Sequence, residues 1–290
     1  MEFLNKSSKF PKNVSLILGF FDGLHLGHRE LILQAQNNTE KVLVTFSKSP
    51  AEYFTPNFSY IYPREVSYSI AEKLGIDYIL EYDFSKIFNI SAEDYLNNLI
   101  EKFEPKYISS GYNHTFGKNK LGNAEFLKEK QQEHNYKYIC IPEFKKDGKT
   151  VSSTYIKELL ANGQLSKANS LLGENFKIKS KVIKGAQIGR TIGFPTANMK
   201  YPKDIIRIPY GVYCVKSFNM PAVLNWGVKP TVNGKEEILE IHIPNLEKDL
   251  YEKELEIEFI DKIREEQKFK NLEELKAQIK KDVQKCLELS

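Results

Sequence analysis

The sequence predicts two domains of different fold class: a doubly wound α/β domain, followed by a small antiparallel β-barrel with a C-terminal helix. In the first half, short runs of consecutive apolar residues alternate with amphipathic stretches, a pattern typical of parallel strands that are buried on both faces and connected by helices. After Gly173 the pattern changes to short β-rich segments that alternate apolar and polar residues, which is typical of antiparallel sheets. We therefore expect domains at 1–173 and 174–290, since 290 residues suffice for two cores.

The elements of the first domain follow from these runs. Strands are expected at 14–19, 41–46, 77–82, 106–111 and 136–142. Helices are expected at 28–36 and 91–103. Between Ser153 and Leu172 apolar residues recur at helical spacing, and the break at Gly163 predicts two short helices there.

The second domain is expected to consist of strands and one terminal helix. The β-rich segments are 176–185, 211–218, 221–228, 237–243 and 254–260. The helix is expected at 271–289, where Asn271 and Glu274 form a capping-box pattern. Its apolar stripe is formed by Leu272, Leu275, Ile279 and Val283.

Composition narrows the function classes. The chain has 42 basic and 38 acidic residues, and its net charge of +4 is too small to indicate a nucleic-acid partner. A modest basic balance also suits a protein that binds phosphorylated metabolites. The N-terminus lacks the apolar region of a signal peptide, and no window is long and apolar enough to cross a bilayer. We expect a cytoplasmic protein without a membrane partner.

The three cysteines do not indicate a disulfide framework or a zinc site. Cys140, Cys214 and Cys286 are far apart, odd in number and not at metal-ligand spacing. We expect them to be semi-buried thiols.

A first candidate site lies in the stretch LGFFDGLHLGHRELI. A strand, a turn containing Gly19 and Gly23, and a helix that begins near His25 and His28 form an anion-binding arrangement, because helix-start amides and the helix dipole favour negative charge. Residues three apart share one face of a helical turn, so both imidazoles can donate to one polyphosphate. The same pair could instead bind a metal or simply be polar residues at a helix start, although no HExxH pattern occurs.

A second candidate site lies in KGAQIGRTIGFPTAN. Its glycines permit turns and close approach to a ligand, while Thr196 and Asn198 offer oxygen ligands suited to Mg²⁺ and phosphate. A set of ordinary barrel turns is the alternative interpretation.

Both stretches resemble signatures of one family, the prokaryotic bifunctional riboflavin kinase/FAD synthetases. Residues 19–28 resemble the GFFDGxHxGH signature of the nucleotidylyltransferase superfamily, and 189–198 resemble the riboflavin kinase signature GRTxGFPTAN. VSSTYIK at 151–157 resembles the family's SSTxIR element, and GYNHTFG at 111–117 resembles its G-x-D/N-F-x-F-G loop. Further resemblances follow in the family's order: PYGVY, NWGVKPT, LEIHI, DLYEKEL and IREEQKF.

The resemblance implies a fold and two activities. The first domain would be a Rossmann-like nucleotidylyltransferase domain that adenylylates FMN to FAD and releases pyrophosphate. The barrel would phosphorylate riboflavin to FMN. The implied ligands are riboflavin, FMN, FAD, ATP and ADP, with Mg²⁺ as the cofactor.

The resemblance also implies roles for individual residues. Glu240 would be the general base for the ribityl 5′-hydroxyl, and His25 and His28 would stabilise the polyphosphate and the transition state. The ATP- and phosphate-binding residues would be Gly19, Phe21, Asp22, Gly23, Gly27, Ser153, Thr154, Lys157, Gly189, Thr196 and Asn198. Flavin would contact Asn113, Phe116, Asn225 and Arg264. Thr196 and Asn198 would also bind the metal.

The sequence departs from the family pattern at five positions. Ser47 and Ser49 stand where Asp and His are usual, and His114 stands where Phe is usual. Lys157 replaces an Arg, which loses the planar fork for bidentate phosphate contact, and Asn245 stands where Asp is common.

Three alternatives therefore stay open. One half alone could be active, most plausibly the kinase. The chain could be a non-catalytic flavin-binding regulator, or an adenylyltransferase for another phosphate ester.

Overall fold

The structure, a computed structural model, describes residues 1–36, 38–185, 189, 193–231, 234–246 and 248–290; for 230, 231, 234 and 235 it describes the backbone alone. The chain forms two compact units. The first unit comprises 1–58 with 67–152, and the second comprises 59–66 with 153–290.

The first unit is built on a parallel six-stranded sheet. Its strands are β1 (Glu2–Leu4), β2 (Ser15–Leu18), β3 (Lys41–Phe46), β4 (Tyr78–Tyr82), β5 (Tyr107–Gly111) and β6 (Lys137–Ile141), in the order β1-β4-β3-β2-β5-β6. The helices of this part of the chain are α1 (Leu26–Gln34), α2 (Pro50–Phe54), α3 (Arg64–Lys73), α4 (Phe84–Ile87), α5 (Ala92–Phe103) and α6 (Ala124–Lys130). The first three residues of α3 are assigned to the second unit. A hairpin follows the sheet, with strands β7 (Lys145–Lys146) and β8 (Lys149–Thr150). The predicted parallel α/β domain is confirmed.

Burial on both faces explains the apolar runs of these strands. All four residues of β2 are buried. Leu16 and Leu18 share a core with Leu96 and Leu99 of α5, while Ile17, which points the other way, is also fully enclosed. Each strand position must therefore be apolar, which removes the alternation seen in half-exposed strands.

The second unit contains a closed antiparallel barrel. Two helices precede it, α7 (Ser153–Ala161) and α8 (Leu165–Leu172). The strands are β9 (Phe176–Ile183), β10 (Ala197–Met199), β11 (Gly211–Ser217), β12 (Met220–Thr231), β13 (Gly234–His242) and β14 (Glu254–Arg264), in the order β10-β13-β12-β11-β14-β9, and α9 (Leu272–Leu289) ends the chain. The predicted barrel and terminal helix are confirmed, whereas β10, only three residues long, was not predicted.

Helices α7 and α8 belong to the second compact unit rather than to the sheet. The Asn169 amide explains this for α8: it donates to the carbonyls of Phe259 and Ile260 at 2.9 and 3.2 Å and accepts from the Phe176 amide at 2.7 Å. The functional boundary between residues 173 and 174 stays a prediction.

The apolar stripe of α9 differs from the predicted one. Leu272 is exposed, while Asp282 and Cys286 are the buried residues of this helix. A carboxylate can occupy the buried face because Arg264 of β14 binds it through two nitrogens, at 3.0 and 2.7 Å. At the start of the helix, the Asn271 side chain accepts from the Glu274 amide at 2.9 Å, as the capping pattern predicts.

The prediction that all three cysteines are semi-buried thiols is wrong. Cys214 of β11 and Cys286 of α9 form a disulfide, and both are buried, whereas Cys140 is an exposed thiol. The two half-cystines are 72 residues apart in the chain, and packing of α9 on the barrel brings their Cα atoms to 4.9 Å. Sequence spacing does not contain this tertiary contact.

We expect the disulfide to stabilise the barrel. Replacing Cys286 by serine should lower the free energy of unfolding by about 2–4 kcal/mol, since the cross-link closes a long loop in the unfolded chain. The chain's only tryptophan, Trp226, is fully buried in the barrel, so its fluorescence during guanidinium unfolding measures this unit. C140S is the matched control, with an unchanged midpoint. Equal midpoints for the wild type with and without a reducing agent would contradict the expectation.

Candidate active sites

The first candidate site lies where the strand order of the parallel sheet reverses. The chain runs from β2 outward to β3 on one side, and β5 pairs with β2 on the other side. Leu18 and Ser110 are register partners, so the loops after β2 and β5 leave the same edge of the sheet side by side. Ligands of open α/β sheets bind in the crevice at such a switch point. The loop 19–25 and the loop 111–117 flank this crevice.

His25 and His28 stand at the beginning of α1, as predicted. His25 is the N-cap residue, and its Nδ1 accepts from the His28 amide at 3.4 Å. The two rings stack with their centroids 3.7 Å apart, and Phe21 meets His28 edge-on at 5.2 Å. A neutral ring carries one N–H, so an accepting Nδ1 leaves the proton of His25 on Nε2. The spacing of three residues therefore places the two imidazole rings in contact at the start of α1.

Both imidazoles are neutral near pH 7. Burial lowers the pKa of His25 to about 4, because desolvation disfavours the charged ring. Burial, and then repulsion by His25, hold the pKa of His28 well below its ordinary value. An uncharged pair can still donate hydrogen bonds to a ligand.

The loop before α1 needs its glycines. Gly23 has φ +83°, in the left-handed region that glycine favours. A Cβ on Gly27 would lie 3.3 Å from the His25 ring, and one on Gly19 would lie 2.9 Å from the Phe21 ring. Asp22 and Phe21 are buried in this loop. Phe21 and Gly27 therefore lie against the histidine pair, and Gly19 lies against Phe21.

In the loop after β5, the two residues predicted to contact flavin differ in exposure. Asn113 is exposed, while Phe116 is buried in the core against Tyr95. His114, the departure from the family pattern, stacks on Phe116 at 5.7 Å, and burial lowers its pKa to about 4. Flavin contacts at Asn113 and Phe116 stay predictions.

The two serines that depart from the pattern follow β3. The Ser49 hydroxyl caps α2 by accepting from the Ala51 amide at 3.1 Å. Ser47 is half-buried, and its amide donates to the Tyr82 carbonyl at 2.9 Å.

The SST element lies at the beginning of α7, which agrees with the predicted helix start. Ser153 is the first residue of α7, Thr154 is exposed and Lys157 is half-buried one turn on. These residues belong to the second compact unit, whereas the histidine pair belongs to the first. Their joint role in one ATP site stays a prediction.

The second candidate site is a row of side chains across the barrel wall. Glu240 of β13 is the register partner of Asn198 on β10 and of Asn225 on β12. Directly opposed residues share one face, and the residues beside Glu240, Leu239 and Ile241, are buried in the opposite direction. The structure therefore brings three predicted site residues together on the outer face of the barrel.

A lysine that sequence reasoning did not single out completes this row. The Lys229 ammonium forms an ion pair with Oε1 of Glu240, whose side chain is 18% exposed. Lys229 lies four residues after Asn225 on β12, hence on the same face. The period-2 pattern of NWGVKPT would have indicated the shared face, but the partner strand could not be read from it.

Gly189 lies close to Thr196, and Gly185 lies close to Asn198. A Cβ on Gly189 would lie 3.2 Å from the Thr196 hydroxyl oxygen, and one on Gly185 would lie 2.3 Å from the Asn198 amide. Residues 190–192 of the predicted signature lie outside the described residues. Thr196 also lines a cavity of about 660 Å³, whose lining includes residues 195–197, 246 and 248–251.

A neighbouring cavity of about 460 Å³ lies between the barrel and α9. Its lining includes Phe194, His242 and Asn245 on the barrel side and Val283 on α9. Both cavities border the segment that contains Thr196, so the barrel offers concave surface beside the predicted phosphate-binding residues.

Arg264 is held by the protein itself. Its guanidinium binds Asp282 of α9, which also accepts from Gln278 at 2.9 Å. The partner is thus an aspartate on the terminal helix rather than one of the nearby glutamates. A flavin contact at Arg264 stays a prediction.

Comparison with known proteins agrees with this two-site arrangement. A family model described as FAD synthetase matches residues 7–155, and one described as riboflavin kinase matches residues 172–290. Bifunctional riboflavin kinase/FMN adenylyltransferases are 32% identical in Haemophilus influenzae, 33% in Escherichia coli K12 and 32% in Bacillus subtilis. These matches cover 97%, 96% and 94% of this chain and 96%, 93% and 91% of the relatives.

The chain belongs to the bifunctional riboflavin kinase/FMN adenylyltransferase family. Its FAD synthetase domain contains the histidine pair, and its riboflavin kinase domain contains the Glu240 row. The predicted enzyme class, transferase of phosphorus-containing groups with ATP as co-substrate, is confirmed.

A solved structure shares the same fold over nearly the full length. It is the crystal structure of a protein from Streptococcus pneumoniae described as a macrolide-efflux protein, with a TM-score of 0.83 and 27% sequence identity. The match covers 96% of this chain and 94% of that one. Within the described residues, the helices are too short or too polar to cross a membrane.

We expect His114 to make the stability of the first unit depend on pH. Between pH 6.5 and about 4 the unfolded chain protonates this imidazole while the folded chain does not, so unfolding becomes easier as the pH falls. Replacing His114 by phenylalanine should reduce that loss by an amount on the order of 2 kcal/mol. Urea unfolding followed by circular dichroism at pH 7 and pH 4 measures it. An equal loss of unfolding free energy between pH 7 and pH 4 in the variant and the wild type would contradict the expectation.

Proposed function

We propose that the chain makes FMN and then FAD at two separate sites. The observation that carries the proposal is that each family domain holds its own set of grouped residues: the stacked histidines of one and the Asn198–Glu240–Asn225 row of the other. The alternatives with one working half, or with none, leave one or both of these groups unexplained.

At the barrel, Glu240 acts as general base for riboflavin. The carboxylate takes the proton of the ribityl 5′-hydroxyl as its oxygen bonds to the γ-phosphorus of ATP, and the bond to ADP breaks. Asn198 and Asn225, on either side of Glu240, position the reacting groups by hydrogen bonds from their amides. Asn225 and Glu240 are half-buried, which limits competing water.

Thr196 and Asn198 fit a magnesium ion held together with ATP. Both offer neutral oxygens, the type that Mg²⁺ accepts beside phosphates and water, and the glycines facing them leave space that a Cβ would fill. When bound, the ion would neutralise charge on the transferred phosphoryl group. The chain's own contribution is to hold these oxygens beside Glu240, which pairs with Asn198 in register.

At the sheet edge, His25 and His28 bind the polyphosphate of a second ATP. A phosphate oxygen of FMN bonds to the α-phosphorus as the bond to pyrophosphate breaks. The Nε2 proton of His25 and the amides at the start of α1 donate to the phosphate oxygens, so they stabilise the charge of the transition state and of the leaving group.

The location of this enzyme in the cytoplasm stays a prediction.

Replacing Glu240 by glutamine should lower kcat for riboflavin phosphorylation about 10²- to 10⁴-fold, because the amide cannot accept the proton. Adenylylation of supplied FMN should continue at the wild-type rate. E236Q is the matched control, since Glu236 lies on the same strand and face and forms its ion pair with Lys200. Unchanged FMN production by E240Q would refute the assignment of the base.

Replacing His28 by alanine should lower kcat/KM for FMN adenylylation about 10²- to 10³-fold, because a donor to the transition state is lost. Riboflavin phosphorylation provides the internal reference in the same sample. H134A, which changes a histidine of the same unit outside the loop 19–28, should leave both rates unchanged. Equal rates for H28A and H134A with FMN would argue against the role of the pair.

A further inference from the structure

We propose that Lys229 is a positioning residue of the riboflavin kinase reaction, which acts by holding the carboxylate of Glu240 in its reactive orientation. The proposal rests on the proposed function of Glu240 as the base. Lys229 forms its ion pair with Oε1 of Glu240, which leaves Oε2 for the ribityl hydroxyl.

The choice of partner supports this role. The residue directly opposite Lys229 on β13 is Glu236, also a carboxylate. Lys229 nevertheless pairs with Glu240, four residues further along the strand, while Glu236 pairs with Lys200 at 3.2 Å. A lysine that simply neutralised the nearest charge would bind Glu236.

Burial distinguishes the ion pairs of Glu236 and Glu240, which lie on the same face of this strand. The side chains of Lys200 and Glu236 are 67% and 44% exposed, whereas those of Lys229 and Glu240 are 41% and 18% exposed. Exposed pairs contribute little, but a largely enclosed carboxylate depends on a cation and hydrogen bonds for its charge and its orientation. Lys229 therefore matters to Glu240 more than Lys200 matters to Glu236.

The surroundings of Glu240 leave this task to Lys229. The flanking strands place the uncharged amides of Asn198 and Asn225 beside it. Two residues along the same face, His242 is buried, with its Nδ1 2.9 Å from the Pro195 carbonyl oxygen. Within the described part of the barrel, Lys229 is the cation in contact with Glu240.

Methionine and arginine at position 229 separate charge from packing. K229M keeps an unbranched chain and removes the cation, so we expect kcat for riboflavin phosphorylation to fall about tenfold or more, with KM for riboflavin within about twofold. K229R should recover most of the rate.

K200M is the matched control. It removes a lysine that pairs with the same strand, and it should leave kcat and KM unchanged. The adenylylation rate with supplied FMN tests the integrity of each variant in the same preparation.

Several outcomes would overturn the proposal. These are a K229M variant with the wild-type kcat, a K229R variant as slow as K229M, and equal losses in both half-reactions, which would assign Lys229 a structural role. In the double variant K229M/E240Q, a residue that acts through Glu240 adds no further loss to that of E240Q; additive losses would overturn the proposal. If E240Q itself stays active, the assignment of the base fails instead, and the two failures are thus distinguished.

Discussion

The hydrogen-bonded register of the strands is the constraint on which both sites depend. In the parallel sheet, pairing of Leu18 with Ser110 aligns the ends of β2 and β5, so two loops distant in sequence border one crevice. In the barrel, a single register sets Glu240 between Asn198 and Asn225. A slip by one residue would turn Glu240 toward the apolar interior and would separate it from both amides. Backbone pairing therefore sets which site residues lie next to one another.

The two candidate sites differ in the charge of their side chains. At the sheet edge, burial keeps His25 and His28 neutral, and in the proposed reaction the pair would bind a highly charged ligand through hydrogen-bond donors. At the barrel, Glu240 is paired with Lys229 and lies beside uncharged amides. Adenylyl transfer needs stabilisation of a leaving polyphosphate, whereas phosphorylation of a hydroxyl also needs a proton acceptor. The contrast in local electrostatics matches the contrast in chemistry.

Local sequence patterns predicted the helices and strands well, but they did not predict contacts between elements that are distant in the sequence. The run 41–46 was predicted as a strand with the bounds that the structure shows, because continuous burial leaves a continuous apolar run. Alternation placed Glu240 on the outer face for the same kind of reason. The disulfide of Cys214 with Cys286 and the pair of Arg264 with Asp282 join strands of the barrel to the terminal helix. No period in the sequence encodes which strand meets that helix, so neither contact was predicted.

The ion pair of Lys229 with Glu240 was likewise not predicted from local sequence patterns. The motif NWGVKPT was recognised as part of the kinase domain, and the alternation of β12 gives the face of its lysine. The choice between Glu236 and Glu240 as its partner depends on side-chain reach and burial across two strands, which a pattern of residue types does not contain.

The departures from the family pattern have local physical roles in the first unit. Ser49 caps α2 with its hydroxyl, a role for which serine is among the favoured residues, whereas histidine is not. His114 fills an enclosed position by stacking on Phe116 and stays neutral there, so it replaces the aromatic ring in shape although not in polarity. Neither substitution alters Gly23, His25 or His28, which form the turn and the helix start on the neighbouring strand. The two substitutions thus leave the turn at Gly23 and the helix start at His25 unchanged.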